Sequence, residues 1–251
     1  MIDSIFNEWE HYSSVMGSQV LRKGNCIISV NRNSQISCDF SNSVVCLGEP
    51  TLNINDLRVY FNVGRFQSYY IITNTDRYNS CTPYKRTASL MVLDYETWAN
   101  NLQHSSILVF DNKVKFLKLS ISDVEDFADV VFSAFKYDRR FKEDSVKLYK
   151  NGVLSSYVTL YGLKLDNTLV SCLLVHRDEN SQIYGIELVS TKEGYRNKGF
   201  SKTLLHLTFR VIFNSKNSKI WLFAIENGIA ERIYSSLGFK KVAKILISSN
   251  G

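Results

Sequence analysis

Proline is almost missing from this chain, with 2 residues in 251, and glycine is modest at 12. Nothing marks a Pro- or Gly-rich flexible linker between its halves. Cysteine is sparse and poorly spaced for zinc. Cys26, Cys38, Cys46, Cys81 and Cys172 are odd in number and contain no CxxC pair, and His11, His104, His176 and His206 complete no ligand pattern. The sequence therefore predicts no metal site, and thiols kept reduced in a cytosolic setting; Cys172 and His176 share a strand face by chance spacing rather than as a nucleophile and its base. No window approaches the roughly 18 apolar residues of a membrane span. The opening MIDSIFNEWE is acidic and has no continuous apolar run, so it is not read as a signal peptide. These absences place the chain in the cytoplasm and leave secretion without such a signal open. Lys and Arg number 30 against 24 Asp and Glu, but they are scattered. Without a basic stripe, no nucleic-acid partner is expected, although the charge balance suits a polyanionic ligand.

What is present is core-forming material. Hydrophobic residues make up 45% of the chain, aromatics 13% and charged residues 22%, a globular composition. Ile2, Phe6, Trp9 and Tyr12 recur at helical spacing over 2–15. Further helices are expected over 53–63, 95–101, 122–135, 143–150, 200–213 and 227–237. In the helix at 122–135, Ser122 and Glu125 form a capping box and Val124, Phe127, Val131 and Phe135 form the apolar face. Strands are expected over 26–30, 44–47, 69–73, 88–93, 106–110, 114–119, 157–164, 169–176, 182–190, 219–226 and 241–248, with turns at Asp166-Asn167 and at 178–180. The fold class is mixed α/β. A boundary near the polar turn at 111–113 divides the chain into 1–112 and 113–251.

One stretch carries chemistry. Residues 182–190 read as a strand and 191–199 as a polar, glycine-bearing loop, after which a helix begins at Phe200. The start of a helix has backbone N–H groups without helical partners and the positive end of the dipole, so this is a place to hold an anion. Gly194 and Gly199 have the spacing of a P-loop, but in Phe200-Ser201, which stands where Lys-Ser/Thr is needed, Phe200 replaces the Lys, and there is no GxGxxG. Arg196-Asn-Lys-Gly-Phe-Ser201 after one strand, and Asn227-x-x-Ala230-x-x-x-Tyr234-x-x-x-Gly238-Phe239 after the next, resemble the GNAT superfamily of acyl-CoA N-acyltransferases. That superfamily writes its loop Q/R-x-x-G-x-G/A, and Ser201 departs from the final Gly/Ala. A small residue there implies a modest shift in how closely a diphosphate approaches. The resemblance covers about 114–248.

The resemblance implies a GNAT-like mixed sheet, splayed and flanked by helices, in 114–251, and acetyl-CoA as cosubstrate. Leu188, Val189, Ser190 and Thr191 would meet the pantetheine arm. Arg196, Asn197, Lys198, Gly199, Phe200, Ser201 and Lys202 would hold the diphosphate through backbone N–H groups and charge, with at least one of the three cations merely solvated. Asn227 would cap its helix and bond the pantetheine. Tyr234 would protonate the departing thiolate, and the N–H of Val189 would hold the developing oxyanion. An amine must lose a proton before it attacks; Glu187, a carboxylate in an apolar strand, is the first candidate base and Glu226 the second, with ordered water as a further route.

The expected activity is acetyl-CoA-dependent N-acetylation of a small-molecule or protein amine by direct attack in a ternary complex, by a monomer or homodimer. The alternative is a CoA-binding sensor that keeps the fold without turnover. The first half lacks both motifs. It is a second α/β domain, read either as a degenerate copy of the same fold or as an unrelated substrate-recognition cap.

Overall fold

The computed structural model describes residues 1–31, 42–49, 67–73, 86–102, 113–177 and 182–250. In chain order the described elements are α1 (Ile2–Val15), β1 (Gln19–Lys23), β2 (Cys26–Val30), β3 (Ser43–Leu47), β4 (Gln67–Thr73), β5 (Arg86–Asp94), α2 (Tyr95–Leu102), β6 (Val114–Lys118), α3 (Val124–Phe135), α4 (Lys142–Leu154), β7 (Val158–Leu165), β8 (Thr168–His176), β9 (Ile183–Thr191), α5 (Phe200–Ile212), β10 (Lys219–Ile225), α6 (Ile229–Ser236) and β11 (Lys240–Asn250). The class is mixed α/β, as expected. The helix expected over 53–63, the strand over 106–110 and the turn over 178–180 lie outside the described residues, as do Cys38, Cys81 and His104. Among the described residues no helix is long and apolar enough to cross a membrane.

The chain forms two compact units, one of residues 1–92 with 221–251 and one of residues 93–220. In the first unit the strand order is β1-β2-β3-β4-β11-β5-β10. β3 and β4 run parallel, and the pairs β1–β2, β2–β3, β4–β11 and β5–β11 run antiparallel. The last strand of the chain therefore does not finish the sheet of its own half; it inserts between two strands of the first half. Helix α1 buries Ile5, Phe6, Trp9 and Tyr12 at helical spacing. The Trp9 ring lies 6.0 Å from Phe223, stacked, and 5.5 Å from Trp221, a block of aromatic surface that anchors the helix.

The cysteine expectation needs correction here. Cys26 and Cys46 are joined by a disulfide. The β2–β3 register places them directly opposite one another with Cα atoms 4.1 Å apart, and only that pairing, not their spacing of 20 in the sequence, brings them into reach.

In the second unit β9, β8, β7 and β6 form an antiparallel ladder in that order. β7 and β8 are joined at Asp166 and Asn167, both with positive φ (46° and 66°), a two-residue hairpin matched to strand twist. Helix α3 packs on β8 and β9 and α4 on β7; α5 packs on all three strands. Val124, Phe127 and Val131 are buried as expected, but Phe135 is 44% exposed and stacks on Tyr137, with ring centroids 5.3 Å apart. The capping box also differs from expectation. Ser120 and Asp123 form it, around a short 3-10 turn that precedes α3. Lys164 also holds the Asp123 carboxylate, at 2.9 Å, while Glu125 faces Lys142 and Lys150 instead.

Candidate functional site

The second unit supplies the strand and loop of the candidate site. β9 is irregular where the sequence places the cosubstrate. Ser190 pairs with Cys172 and Glu187 with Leu174, so β9 carries one residue more than β8 across that interval. The extra residue is a β-bulge, and Leu188 takes a left-handed φ of 54° to make it. A leucine in that region is strained, and two serines brace it. The Ser190 hydroxyl donates to the Leu188 carbonyl at 2.8 Å. Ser171 on β8 donates to the Ser190 carbonyl at 2.8 Å, and its hydroxyl lies 2.9 Å from that of Thr191. The bulge takes Leu188 and Val189 out of the regular β8–β9 register, with one residue more than β8 can pair.

Beyond β9 a 3-10 turn, Glu193–Tyr195, leads to Asn197 at φ 60° and Gly199 at φ 79°. Gly199 is the N-cap of α5, and no side chain caps the helix there. The left-handed conformation explains why a glycine stands at this point. By helix geometry the N–H groups of Phe200, Ser201 and Lys202 have no intrahelical acceptor, while that of Thr203 already reaches the Gly199 carbonyl at 3.0 Å. Phe200 itself is buried and meets Tyr195 edge-on, so its side chain is core and only its backbone is offered.

The cations divide by task. Arg196 donates through Nε to the Thr191 carbonyl at 3.2 Å and through Nη2 to the Ala134 carbonyl at 2.8 Å. It ties the loop to the end of β9 and to the C-terminal turn of α3. Lys198 reaches the Gly194 carbonyl at 3.2 Å and sits over the Tyr195 ring at 5.6 Å. Lys202 is exposed in the first turn of α5, beside the helix's positive end.

The remaining named residues belong to the first unit. Asn227 is corrected: it does not cap α6. Its φ is 61°, and Gly228 is the N-cap. The Glu231 carboxylate turns back to accept the Asn227 N–H at 2.5 Å and also meets the hydroxyl of Ser89. The two residues of left-handed and extended backbone delay the helix until Ile229. Glu226 is held by Lys241 at 2.5 Å and by Lys244 at 3.6 Å. The hydrogen bond from Lys241 keeps its carboxyl below the usual range, so it is an ionised partner in a lysine pair rather than an uncommitted base.

Tyr234 is buried, and that burial pushes its hydroxyl above the ordinary phenol range, so the group keeps its proton at neutral pH. The Tyr-x-x-x-Gly-Phe spacing has a local structural cause. The N–H of Phe239 bonds the Tyr234 carbonyl at 3.1 Å, and that of Gly238 bonds the Ser235 carbonyl at 3.0 Å. Gly238 takes φ 99°, and the Tyr234 and Phe239 rings lie 5.8 Å apart. Together these make a Schellman C-cap with its hydrophobic contact.

Two partners escaped the sequence reading. Ser171, which braces the bulge, lies in a strand with no motif. His176 stands with Nε2 3.8 Å from Glu187 Oε1. The available signal for it was Gly185, a glycine in the middle of a strand. Cys172 is no nucleophile: it is fully buried, and burial pushes its thiol up.

Residues 124–239 match the model of the acetyltransferase (GNAT) family. This stretch of the chain is a GNAT acetyltransferase domain. Solved structures extend the likeness to nearly the whole chain. A GCN5-related N-acetyltransferase from Kribbella flavida is 12% identical with a TM-score of 0.66, over 97% of this chain and 93% of that one. A second, from Sphaerobacter thermophilus, is 13% identical with a TM-score of 0.59, over 90% and 76%. A tandem GNAT protein from the clavulanic acid biosynthesis pathway is 9% identical with a TM-score of 0.56, over 92% and 81%. At such identities the likeness is one of fold. No curated protein matches the chain in sequence.

Proposed function

We propose that the protein is an acetyl-CoA-dependent N-acetyltransferase that acetylates an amine by direct attack in a ternary complex. The observation that carries this reading is the pairing of a braced bulge at Leu188 with an α5 start that no side chain caps, within one GNAT domain. That donor set fits an acyl-CoA. Leu188 to Thr191 would lie along the pantetheine arm, and the backbone from Arg196 to Lys202 would hold the diphosphate. When bound, acetyl-CoA supplies an activated acyl group on a thiol leaving group. The chain's own work is to orient it, to donate from the Val189 N–H where charge develops on the carbonyl oxygen, and to move two protons. Tyr234, held protonated by burial, gives one to the leaving sulfur, and Glu187 takes one from the amine. Asn227 would meet the pantetheine.

We propose further that residues 1–112 are a degenerate copy of the fold beside a working domain at 113–251. The likeness to a tandem GNAT protein over 92% of the chain supports this.

The first test is a thermal shift. Acetyl-CoA at 100 times its Kd stabilises by about 2.7 kcal/mol through mass action, and no rise in Tm at millimolar acetyl-CoA would sink the site. The second is turnover. Tyr234→Phe is expected to lower kcat about 100-fold with KM for acetyl-CoA unchanged. Binding without transfer to any amine in a broad panel would favour the sensor reading.

A further inference from the structure

The second unit contains a pair of ionisable side chains of which the reading above uses only one. In the β8–β9 ladder His176 faces Gly185 and Leu174 faces Glu187. Opposed residues share a face and alternate residues repeat it, so Leu174, His176, Gly185 and Glu187 lie on one side of the ladder. It is the side on which the Cys172 thiol reaches the Phe127 carbonyl of α3. His176 is fully enclosed, Glu187 is 8% exposed, and Nε2 and Oε1 are 3.8 Å apart.

Space has been made for this imidazole. A Cβ on residue 185 would meet its Cε1 and Nε2 at 2.2 Å, so the ring lies across bare strand backbone and any larger residue at 185 would displace it. Tyr157 stacks with it, centroids 6.2 Å apart and planes 23° from parallel. A glycine weakens a strand interior, and enclosing an imidazole and a carboxylate requires desolvating both. A leucine at 176 opposite an alanine at 185 would fill the same place without the strand glycine and without desolvating an imidazole. The arrangement makes sense as a device for holding a proton.

We propose that His176 and Glu187 act as one proton-binding pair, with His176 the positioning residue that readies Glu187 to take the acceptor amine's proton. The proposal rests on the acetyltransferase reading. A carboxylate and an imidazole in contact away from water share one proton more readily than either holds it alone. The pair accepts the proton that the acceptor ammonium must lose before its nitrogen attacks, and returns it to solvent after product leaves. The buried face of α3 is apolar, that of α4 contributes Tyr149, and β8 contributes the buried thiol of Cys172. Arg177 is committed to the Tyr184 hydroxyl at 2.8 Å, on a residue that alternation places on the opposite face.

The test uses the full chain. Histidine ring resonances are followed by NMR against pH in the wild type and in Glu187→Gln, which is nearly isosteric. The His176 titration is expected to move to lower pH by about one unit or more when the carboxylate is removed. In parallel, kcat and KM are measured against pH for His176→Gln, Glu187→Gln and the double variant. Glu187→Gln is expected to lose about 100-fold in kcat and His176→Gln about tenfold, with KM for acetyl-CoA unchanged. The double variant should be no slower than Glu187→Gln, as for residues acting as a unit. In His176→Gln the acidic limb of kcat should move to lower pH, because a pair binds its proton more tightly than one of its members. An unmoved His176 titration in Glu187→Gln overturns the pair whatever the enzyme does, and needs no His176 variant to fold. A moved titration with CoA bound but no amine acetylated overturns the acetyltransferase reading, and the base role with it.

Discussion

The chain starts two helices after a strand and a turn, and treats them in opposite ways. At α6 the turn is sealed from within: Glu231, in the first helical turn, reaches back to the Asn227 N–H and is itself held by Ser89. At α5 the cap is a left-handed glycine without a side chain, and the residues after it offer backbone N–H groups that no side chain caps. The carboxylate that closes one turn has no counterpart in the other, where the first turn holds Ser201 and Lys202. A helix dipole attracts an anion at either start. α6 carries its own glutamate in that first turn, although no side chain caps its first-turn N–H groups either, and on the reading proposed above α5 leaves the place to a ligand. On that reading the diphosphate is held at the start of α5 and not at that of α6, and the contrast can be broken by giving each the other's chemistry.

The largest effect should come from sealing the open start. Ser201→Asp puts a carboxylate in the first turn of α5, where it favours the helix by about 0.3–1 kcal/mol but faces the diphosphate with like charge, at several kcal/mol. Stability by urea denaturation should hold or rise while acetyl-CoA affinity by calorimetry falls about 100-fold. Ile229→Asp, in the first turn of α6 and 71% exposed, should leave affinity unchanged. Equal loss in both variants would remove the distinction between the two crossovers.

The difference between the two starts was only half legible in the sequence. The glycine loop and the Asn-to-Phe motif are local strings, so both crossovers could be found. Glu231 as a plug could not, because its partners are a backbone N–H released by the left-handed turn at Asn227 and a serine on β5. The same rule runs through the molecule. Val124, Phe127 and Val131 declare a helix by spacing alone, yet Phe135, at the same spacing, is exposed at the C-terminal end of α3 and stacks on Tyr137 beyond it. β11 was legible as a strand, but its place between β4 and β5 is a non-local pairing. The Cys26–Cys46 bond, the bulge at Leu188 and the approach of His176 to Glu187 are all consequences of register, which alternating hydrophobicity does not specify for strands buried on both faces.

A smaller effect should follow from unsealing α6. Glu231→Ala removes charge-assisted hydrogen bonds to Asn227 and Ser89, and such bonds contribute roughly 1.5–3 kcal/mol when lost as a partner. Because the turn is partly solvated, a loss of about 1–2 kcal/mol is expected, read as a lower urea midpoint at unchanged m. Acetyl-CoA affinity should change less than twofold, since the plug faces its own turn. A large affinity loss with little change in stability would mean that Glu231 serves the ligand and that the two starts are alike after all.

The smallest effect tests a third helix start, the sealed one before α3. Ser120 and Lys164 together hold the Asp123 carboxyl down from 3.8 to about 2, the Ser120 hydrogen bond being the stronger influence. The native state therefore binds this proton less readily than the unfolded chain does. The stability it contributes is complete above about pH 4 and fades as pH falls toward 2. Asp123 is partly solvated, with 23% of its side chain exposed, so screening limits the contribution to about 1 kcal/mol. Asp123→Asn should lower stability by about that amount at pH 7. The gap between the variant and wild-type curves should narrow as pH falls toward 2, because there the wild-type carboxyl is protonated in the unfolded chain and about half protonated in the native state. Parallel curves down to pH 2 would show that the cap acts through geometry that asparagine disturbs, and not through the charge that Lys164 and Ser120 hold in place.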